Sequence, residues 1–300
     1  MLQQVGAALD EHRPLVVRNQ GLVALGQESP RAKPAKENGN EGKGKRGSAS
    51  RSREGAARRQ GARRSWSAGA ASRIGGDLLR DAYEGQVTRL AEAYPTSQAF
   101  PDDDGIWLLA RSSIISGLVR EATFLVALPY RSGLGPRAWG FWTTGAETAW
   151  IGPRHTNFRD GSICAFSPDD GAWSEGGDLR TLLDLYSVWT LRHLHLEVFG
   201  RWPGKQYSFF GADPRVQAYY RQSECQDNEL CGCGSETRRY SECCKQSDLR
   251  LNFVEIAGLF LTHTQGGFNT RRPPTAVVGF VEGRSALPRI AEVHLLMASR

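Results

Sequence analysis

Long apolar runs are missing from this chain. The run around Gly258-Leu259-Phe260-Leu261 is short and bounded by polar residues, too short for a membrane span, so no membrane partner is expected. Asp10, Glu11 and Arg13 follow a weakly apolar start, so the chain lacks the apolar core of a secretory leader and reads as cytoplasmic. A glycine-rich dinucleotide-type loop after a strand is also absent, as is any adenylation motif. Nucleotide activation of a carboxylate is therefore not expected within this chain. From Gln27 to about Ser72 large apolar residues almost vanish, leaving Gly, Ser, Ala, Lys and Arg. Such a segment cannot bury enough surface to offset its ordering entropy, and disorder is expected.

The charge is unevenly spread. The 300 residues carry a net charge of +6, yet residues 1–75 hold 15 Lys/Arg against 6 Asp/Glu, a surplus of +9. The remaining 23 basic and 26 acidic residues sum to −3, so the basic character lives in the tail and argues against a nucleic-acid-binding fold. A solvated extension is the simpler reading of residues 1–75, and a weak nucleic-acid contact by this basic tail is the alternative. Leu15-Val16-Val17 and Gly21-Leu22-Val23-Ala24-Leu25 form a short apolar element too isolated to make a core alone.

Order is expected from Asp77. Leu79, Tyr83, Val87, Leu90 and Tyr94 recur at helical spacing until Pro95. Four strand-like runs follow, Ile106–Ile114, Thr123–Tyr130, Ala138–Thr143 and Glu147–Ile151, separated by Gly, Pro and Ser turns. A second helix is expected from Asp178 to Phe199, with Leu179, Leu182, Leu183, Tyr186, Trp189 and Leu194 on one face and Arg180, Asp184 and Ser187 on the other. His193 and His195 are two apart, on nearly opposite sides of that helix, and cannot chelate one ion together.

Between the last strand and that helix lies Arg154-His155-Thr156-Asn157-Phe158-Arg159-Asp160-Gly161-Ser162-Ile163-Cys164, with Trp173 downstream. A lone cysteine is more often a core residue. Here it sits in a Gly/Ser/Asp-rich loop beside His and Asn, where a thiolate could attack a carbonyl and an amide could hold the oxyanion. The order and spacing resemble the active-site signature of ubiquitin-conjugating enzymes: His-Pro-Asn, a short loop ending in Gly-x-x-Cys, then Trp-Ser-Pro. Thr156 stands in the Pro position, the loop is about one residue shorter, and Trp173-Ser174-Glu175 replaces the last element. The resemblance implies Cys164 as nucleophile, Asn157 as oxyanion stabiliser and loop organiser, and His155 as a structural brace. It also implies an acidic residue near the cysteine, with Asp169 and Asp170 nearby in sequence.

Cys231-Gly232-Cys233 and Cys243-Cys244 bring four of the six cysteines together in two close pairs. Four thiolates suit a closed, tetrahedral, structural zinc site better than a disulfide framework. The Cys-x-Cys-Gly-Ser…Tyr-x-x-Cys-Cys pattern resembles the SEC-C motif, with a centre one residue longer and Glu236 in place of Gly; Cys225 is a spare thiol. Further on, Leu249–Leu261 reads as a helix, Ala276–Val281 as a strand and Ile290–Met297 as a closing element.

These readings divide the chain into a disordered basic extension over 1–75, a conjugating-like domain over 76–222, a zinc knuckle over 223–249 and an α/β extension over 250–300. The fold class expected is α+β: helix, four-stranded antiparallel meander, active-site loop, helix. The resemblance covers about residues 77–249. It extends to the stand-alone conjugating-like proteins of CBASS antiphage operons, in which the C-terminus of a cGAS-like nucleotidyltransferase is attached to a target amine. That implies a cysteine acyltransferase, with either a separate protein charging Cys164 or the synthase loaded by another route. The competing readings are a non-catalytic zinc-containing interaction scaffold and a cysteine hydrolase pairing Cys164 with a distant histidine such as His193 or His263.

Overall fold

The computed structural model describes residues 2–10, 15–18, 20–24, 68–113, 120–144, 147–166, 171–206, 213–264 and 271–298. The expected arm over 25–67, Ile114, Asp169 and Asp170 lie outside them. The described part is a mixed α+β structure built on a five-stranded antiparallel meander. Its chain begins with α1 (Leu2–Asp10) and a two-stranded hairpin of β1 (Leu15–Arg18) and β2 (Gly21–Ala24), followed by α2 (Ala68–Ala93).

The meander runs β3 (Gln98–Asp102), β4 (Gly105–Arg111), β5 (Ala122–Pro129), β6 (Arg137–Thr144) and β7 (Glu147–Trp150), each paired with its sequence neighbour. It has one strand more than the four expected. Strand β3 was hidden because Pro101 and Asp102 are poor strand formers, yet an edge strand tolerates Pro, and Pro101 pairs with Ile106. Side chains alternate across the sheet. Ile106, Leu108, Phe124, Val126, Leu128 and Trp142 point to one core, against α2 and α3 (Leu179–Phe199). Trp107, Leu125, Trp139 and Phe141 point to a second core on the opposite face.

Asp178 caps α3, accepting from the Arg180 and Thr181 N–H groups, and Gly200 ends it in the left-handed conformation at φ 63°. Then follow α4 (Pro214–Glu224), the cysteine knuckle with α5 (Lys245–Asp248), α6 (Phe253–His263), α7 (Thr275–Val281) and α8 (Ile290–Ala298). The run Ala276–Val281, expected as a strand, is helix α7, and the described extension after residue 250 is helical rather than α/β. A short Val-Val-Gly-Phe run carries no period that separates strand from buried helix. Val277, Ile290 and Val293 from α7 and α8 cover the second face of the sheet.

Two further differences concern α3 and the N-terminus. Asp184 and Ser187 are buried rather than on an outer face. Residues 2–10 and 15–24, grouped by composition with the basic extension, instead form α1 and the hairpin, and Val5, Leu9 and Val17 pack on Val188 and Leu191 of α3. This helix is therefore buried on two sides. Its inward carboxylate is satisfied: Arg18 Nε donates to Asp184 Oδ2 at 2.7 Å and the Tyr94 hydroxyl to Oδ1 at 2.6 Å. Ser113 Oγ donates to the Tyr94 oxygen at 2.9 Å and Ser113 N–H to Ser187 Oγ at 2.9 Å. Burial raises the Asp184 pKa, opposed by Tyr94 and Arg18.

Because removing one partner strands a buried carboxylate, Tyr94→Phe is expected to destabilise the fold by about 1–3 kcal/mol. A lowered urea midpoint would register this, and an unchanged midpoint would mean that Asp184 does not depend on the hydroxyl.

Candidate active site and metal centre

After β7 the chain lays a flattened loop along β6. Ile151 N–H donates to Gly140 O at 2.9 Å, Ile163 N–H to Ala138 O at 2.7 Å, and Thr156 and Ile163 form an isolated bridge. Within the loop, Cys164 N–H donates to His155 O at 3.0 Å, Asn157 N–H to Ser162 O at 2.7 Å and Gly161 N–H to Asn157 O at 2.9 Å. Gly161 is required: its φ is +63°, and a Cβ there would lie 2.7 Å from the Arg272 carbonyl carbon. Asp160 Oδ1 accepts from both the N–H and the hydroxyl of Ser162, and the Trp139 indole donates to Asp160 O at 2.7 Å.

Cys164 is exposed. Asn157 is close behind it: its Nδ2 donates to Ser162 Oγ at 2.9 Å and reaches Ile163 O, the carbonyl preceding the cysteine, at 3.4 Å. His155 stands at φ +48°, in the left-handed region. Its ring stacks on Trp202 with centroids 4.2 Å apart, and its carbonyl also accepts from the Trp189 indole at 2.8 Å. Burial, reinforced by Arg154 and Arg192, pushes its pKa well below the ordinary histidine value. A neutral, stacked imidazole holds backbone in place. Trp173 is buried, donates to Asp178 O at 2.9 Å and faces Phe166 two residues past the cysteine.

The C-terminal half meets this loop at three points. Phe158 inserts between helices, with Tyr220 of α4 at 6.4 Å and Phe260 of α6 at 5.3 Å, and Arg271 lies over its ring at 4.4 Å. Gly161 abuts Arg272 as described. Arg154, one residue before His155, is buried and donates to Glu229, to Gln206 Oε1 and to the Glu224 carbonyl. Arg271 in turn donates to the Glu224 carboxylate, so two buried cations meet two buried carboxylates. Glu229 also accepts from Trp202 N–H at 2.6 Å and Gln206 Nε2 at 2.8 Å. None of Glu224, Glu229, Gln206, Tyr220 or Arg271 was marked by sequence, because each comes from a segment remote from the loop.

The cysteine knuckle lies next to these groups. The Sγ atoms of Cys231, Cys233, Cys243 and Cys244 all fall within 4.8 Å of one another and form a group able to hold a metal ion. A tetrahedral ion about 2.3 Å from each sulfur sets sulfur–sulfur edges of about 3.8 Å. Cys233 to Cys243 is 3.7 Å and Cys243 to Cys244 is 3.8 Å, far beyond a disulfide bond. The donor set and its spacing thus fit a four-sulfur site. Burial pushes the Cys231 thiol up to about 11. Cys233, though burial raises it, is drawn below the usual thiol value by the Ser235 N–H and the neighbouring thiols. Backbone bonds close the knuckle: Cys231 N–H to Arg238 O at 3.0 Å, Gly234 N–H to Cys231 O at 3.1 Å and Tyr240 N–H to Glu229 O at 2.9 Å. Cys225 is buried beside it.

His193 and His195 serve the scaffold. His193 Nε2–H donates to Arg154 O at 2.8 Å, and His195 Nδ1 lies 3.0 Å from Arg201 O. No helix among the described residues is long and apolar enough to cross a membrane. No family model matches the chain, and no curated protein or solved structure matches it either.

Burial lowers the His193 pKa to about 3. Its folded-state value lies below the unfolded one, so the unfolded chain takes up a proton first and stability falls as pH drops below about 6.5. The expected slope is about 1.4 kcal/mol per pH unit from this residue. Urea unfolding of His193→Gln between pH 7 and 5 should show a shallower decline; an identical slope would mean that His193 is solvated.

Proposed function

We propose that the protein is a ubiquitin-conjugating-like acyl carrier acting in the cytoplasm. The Cys164 thiolate attacks an activated protein C-terminus, forms a thioester and expels the activating group. An amine then attacks the thioester carbonyl, an amide forms, the amine proton is lost to solvent and the thiolate leaves. Cys164 carries the bond. Asn157 holds the loop and meets the oxyanion, and His155 braces the backbone.

The observation that supports this reading most is the exposed cysteine whose own N–H is pinned to His155 while the Asn157 amide sits at the preceding carbonyl. The bond from Asn157 to Ile163 O is long at 3.4 Å, hence weak, and is the donor most easily released to an oxyanion. The order of elements is in keeping with the same reading: α2, a meander, the loop, then α3. The partner in this proposal is a cGAS-like nucleotidyltransferase, or another protein with a transferable C-terminus, in an antiphage CBASS pathway. A separate protein performs the activation. The four-cysteine group is assigned to structural zinc in a SEC-C-like knuckle, since thiolate donors select such an ion and four protein ligands leave no open position for chemistry.

The test is incubation with the partner synthase and its activating protein, resolved on non-reducing gels. A thiol-sensitive adduct that disappears in Cys164→Ala and becomes a stable ester in Cys164→Ser is the expected result. Asn157→Ala should form the thioester but transfer it to amine slower by about 10²–10³-fold. No adduct under any charging condition would overturn the acyl-carrier reading in favour of an interaction scaffold.

Metal analysis of freshly purified, reduced protein should give about one zinc per chain, in line with a single four-sulfur site. Protein that carries no metal would remove the zinc assignment.

A further inference from the structure

The cysteine knuckle and the Cys164 loop share a buried charge. Glu229 lies on the knuckle's first arm, two residues before Cys231, and is fully buried. Its position is fixed from the knuckle side, where Tyr240 N–H donates to its carbonyl at 2.9 Å and Leu230 bridges to Arg239. Its carboxylate is spent on the other side: it accepts from Arg154 and from the backbone N–H of Trp202, the indole on which His155 stacks. Arg154 and His155 are adjacent, and the His155 carbonyl holds the Cys164 N–H. A continuous path of strong contacts therefore runs from the cysteine cluster to the nucleophile's own amide.

We infer that Glu229 is a positioning residue for Cys164, and that metal occupancy of the knuckle sets the geometry of the nucleophile loop. The description of Cys164 as nucleophile rests on the proposed acyl-carrier role, but the mechanical coupling does not. Without an ion, four crowded thiols, all within 4.8 Å of one another, lose the centre that gathers them. The arm that presents Glu229 then loses its fixed end. Arg154 is left short of one of its two carboxylate partners inside the fold, a loss that a buried guanidinium tolerates only by moving toward water. Movement at Arg154 carries His155 with it, because the residue is bonded through its carbonyl to both Cys164 and Trp189. The loop is thus held in a reactive shape only while the knuckle is closed.

The test follows iodoacetamide alkylation of Cys164, read by mass spectrometry on the peptide that contains it, so that it needs neither partner nor transfer. Wild type with zinc, wild type stripped of zinc, Glu229→Gln, and the exposed knuckle variant Glu236→Gln are compared. Stripped protein and Glu229→Gln are expected to shift the Cys164 rate by about threefold or more toward that of the denatured chain, the scale of coupling between contacting groups. Glu236→Gln should keep the native rate. Glu229→Met combined with Arg154→Met removes one charge of each sign and should recover part of the shift seen in Glu229→Gln, a rescue that general loosening would not give. Should Glu229→Gln fail to fold, the comparison of zinc-loaded with stripped wild type decides, together with hydrogen exchange at the Cys164 amide. Native alkylation and native exchange in zinc-free protein would overturn the inference. Failure to form a thioester adduct, by contrast, would leave this result untouched and bear only on the acyl-carrier role.

Discussion

The structure depends on how the Arg154 guanidinium is held inside it. A buried cation costs several kcal/mol in lost hydration, recovered only if its donors find well-placed acceptors. Arg154 finds them on Glu229, Gln206 and the Glu224 carbonyl, and Arg271 balances the second carboxylate. Hydrophobic residues of similar volume often stabilise such a space as well as a buried ion pair does, so the quartet is weak evidence for stability. It accepts one arrangement of the loop, α4, the knuckle and the segment at Arg271, and penalises the others with an unpaired charge. In this chain that arrangement fixes a loop whose backbone includes a non-glycine residue at positive φ, His155.

Helix α3 supplies the rigid body against which the loop is built. It is covered on one side by the meander and α2 and on the other by α1 and the hairpin. Trp189 and His193 from this helix reach the His155 and Arg154 carbonyls respectively. Both are backbone contacts, so they fix the path of the loop whatever its side chains do. The lowered pKa of His155 and His193 follows from the same enclosure, and imidazoles of such low basicity, buried in the framework, make poor general bases at neutral pH. The imidazoles are framework. In the proposed acyl-carrier role, chemistry at Cys164 draws on the thiolate, the Asn157 amide and the incoming nucleophile.

What was legible in the chain was what is written locally. Pro95 marks the end of α2 and the apolar stripe from Leu179 marks α3, because each acts through neighbours in sequence, whereas α2 begins at Ala68, nine residues before the expected Asp77. The cysteine cluster was legible for the same reason, since ligand spacing is a local property. Strand β3 was lost behind Pro101, and the Val-Val-Gly-Phe run of α7 gave no period to separate helix from strand. Polarity alone places Asp184 and Ser187 toward solvent, whereas Tyr94 and Arg18 satisfy Asp184 inside and Ser113 satisfies Ser187. The quartet was beyond reach altogether: Arg154 contacts groups 52, 70 and 75 residues away, and nothing local marks such partners. The resemblance of the Cys164 loop to conjugating enzymes marks residues for chemistry, but it cannot say what supports them.

Under the proposed function, the two cysteine sites divide the labour of sulfur along physical lines. A thiolate that attacks carbonyls must be open to its substrate, and Cys164 is exposed, with its N–H bonded to His155 O. A thiolate that holds an ion must be shielded on at least one side and gathered by short backbone bonds; Cys231 is fully buried and closes a turn to Gly234. With four sulfurs committed, an ion there has no vacant position and cannot act on a carbonyl itself. Such an ion would make a short, helix-poor segment stiff. That stiffness bears on the loop because the segment carries Glu229 to the buried Arg154.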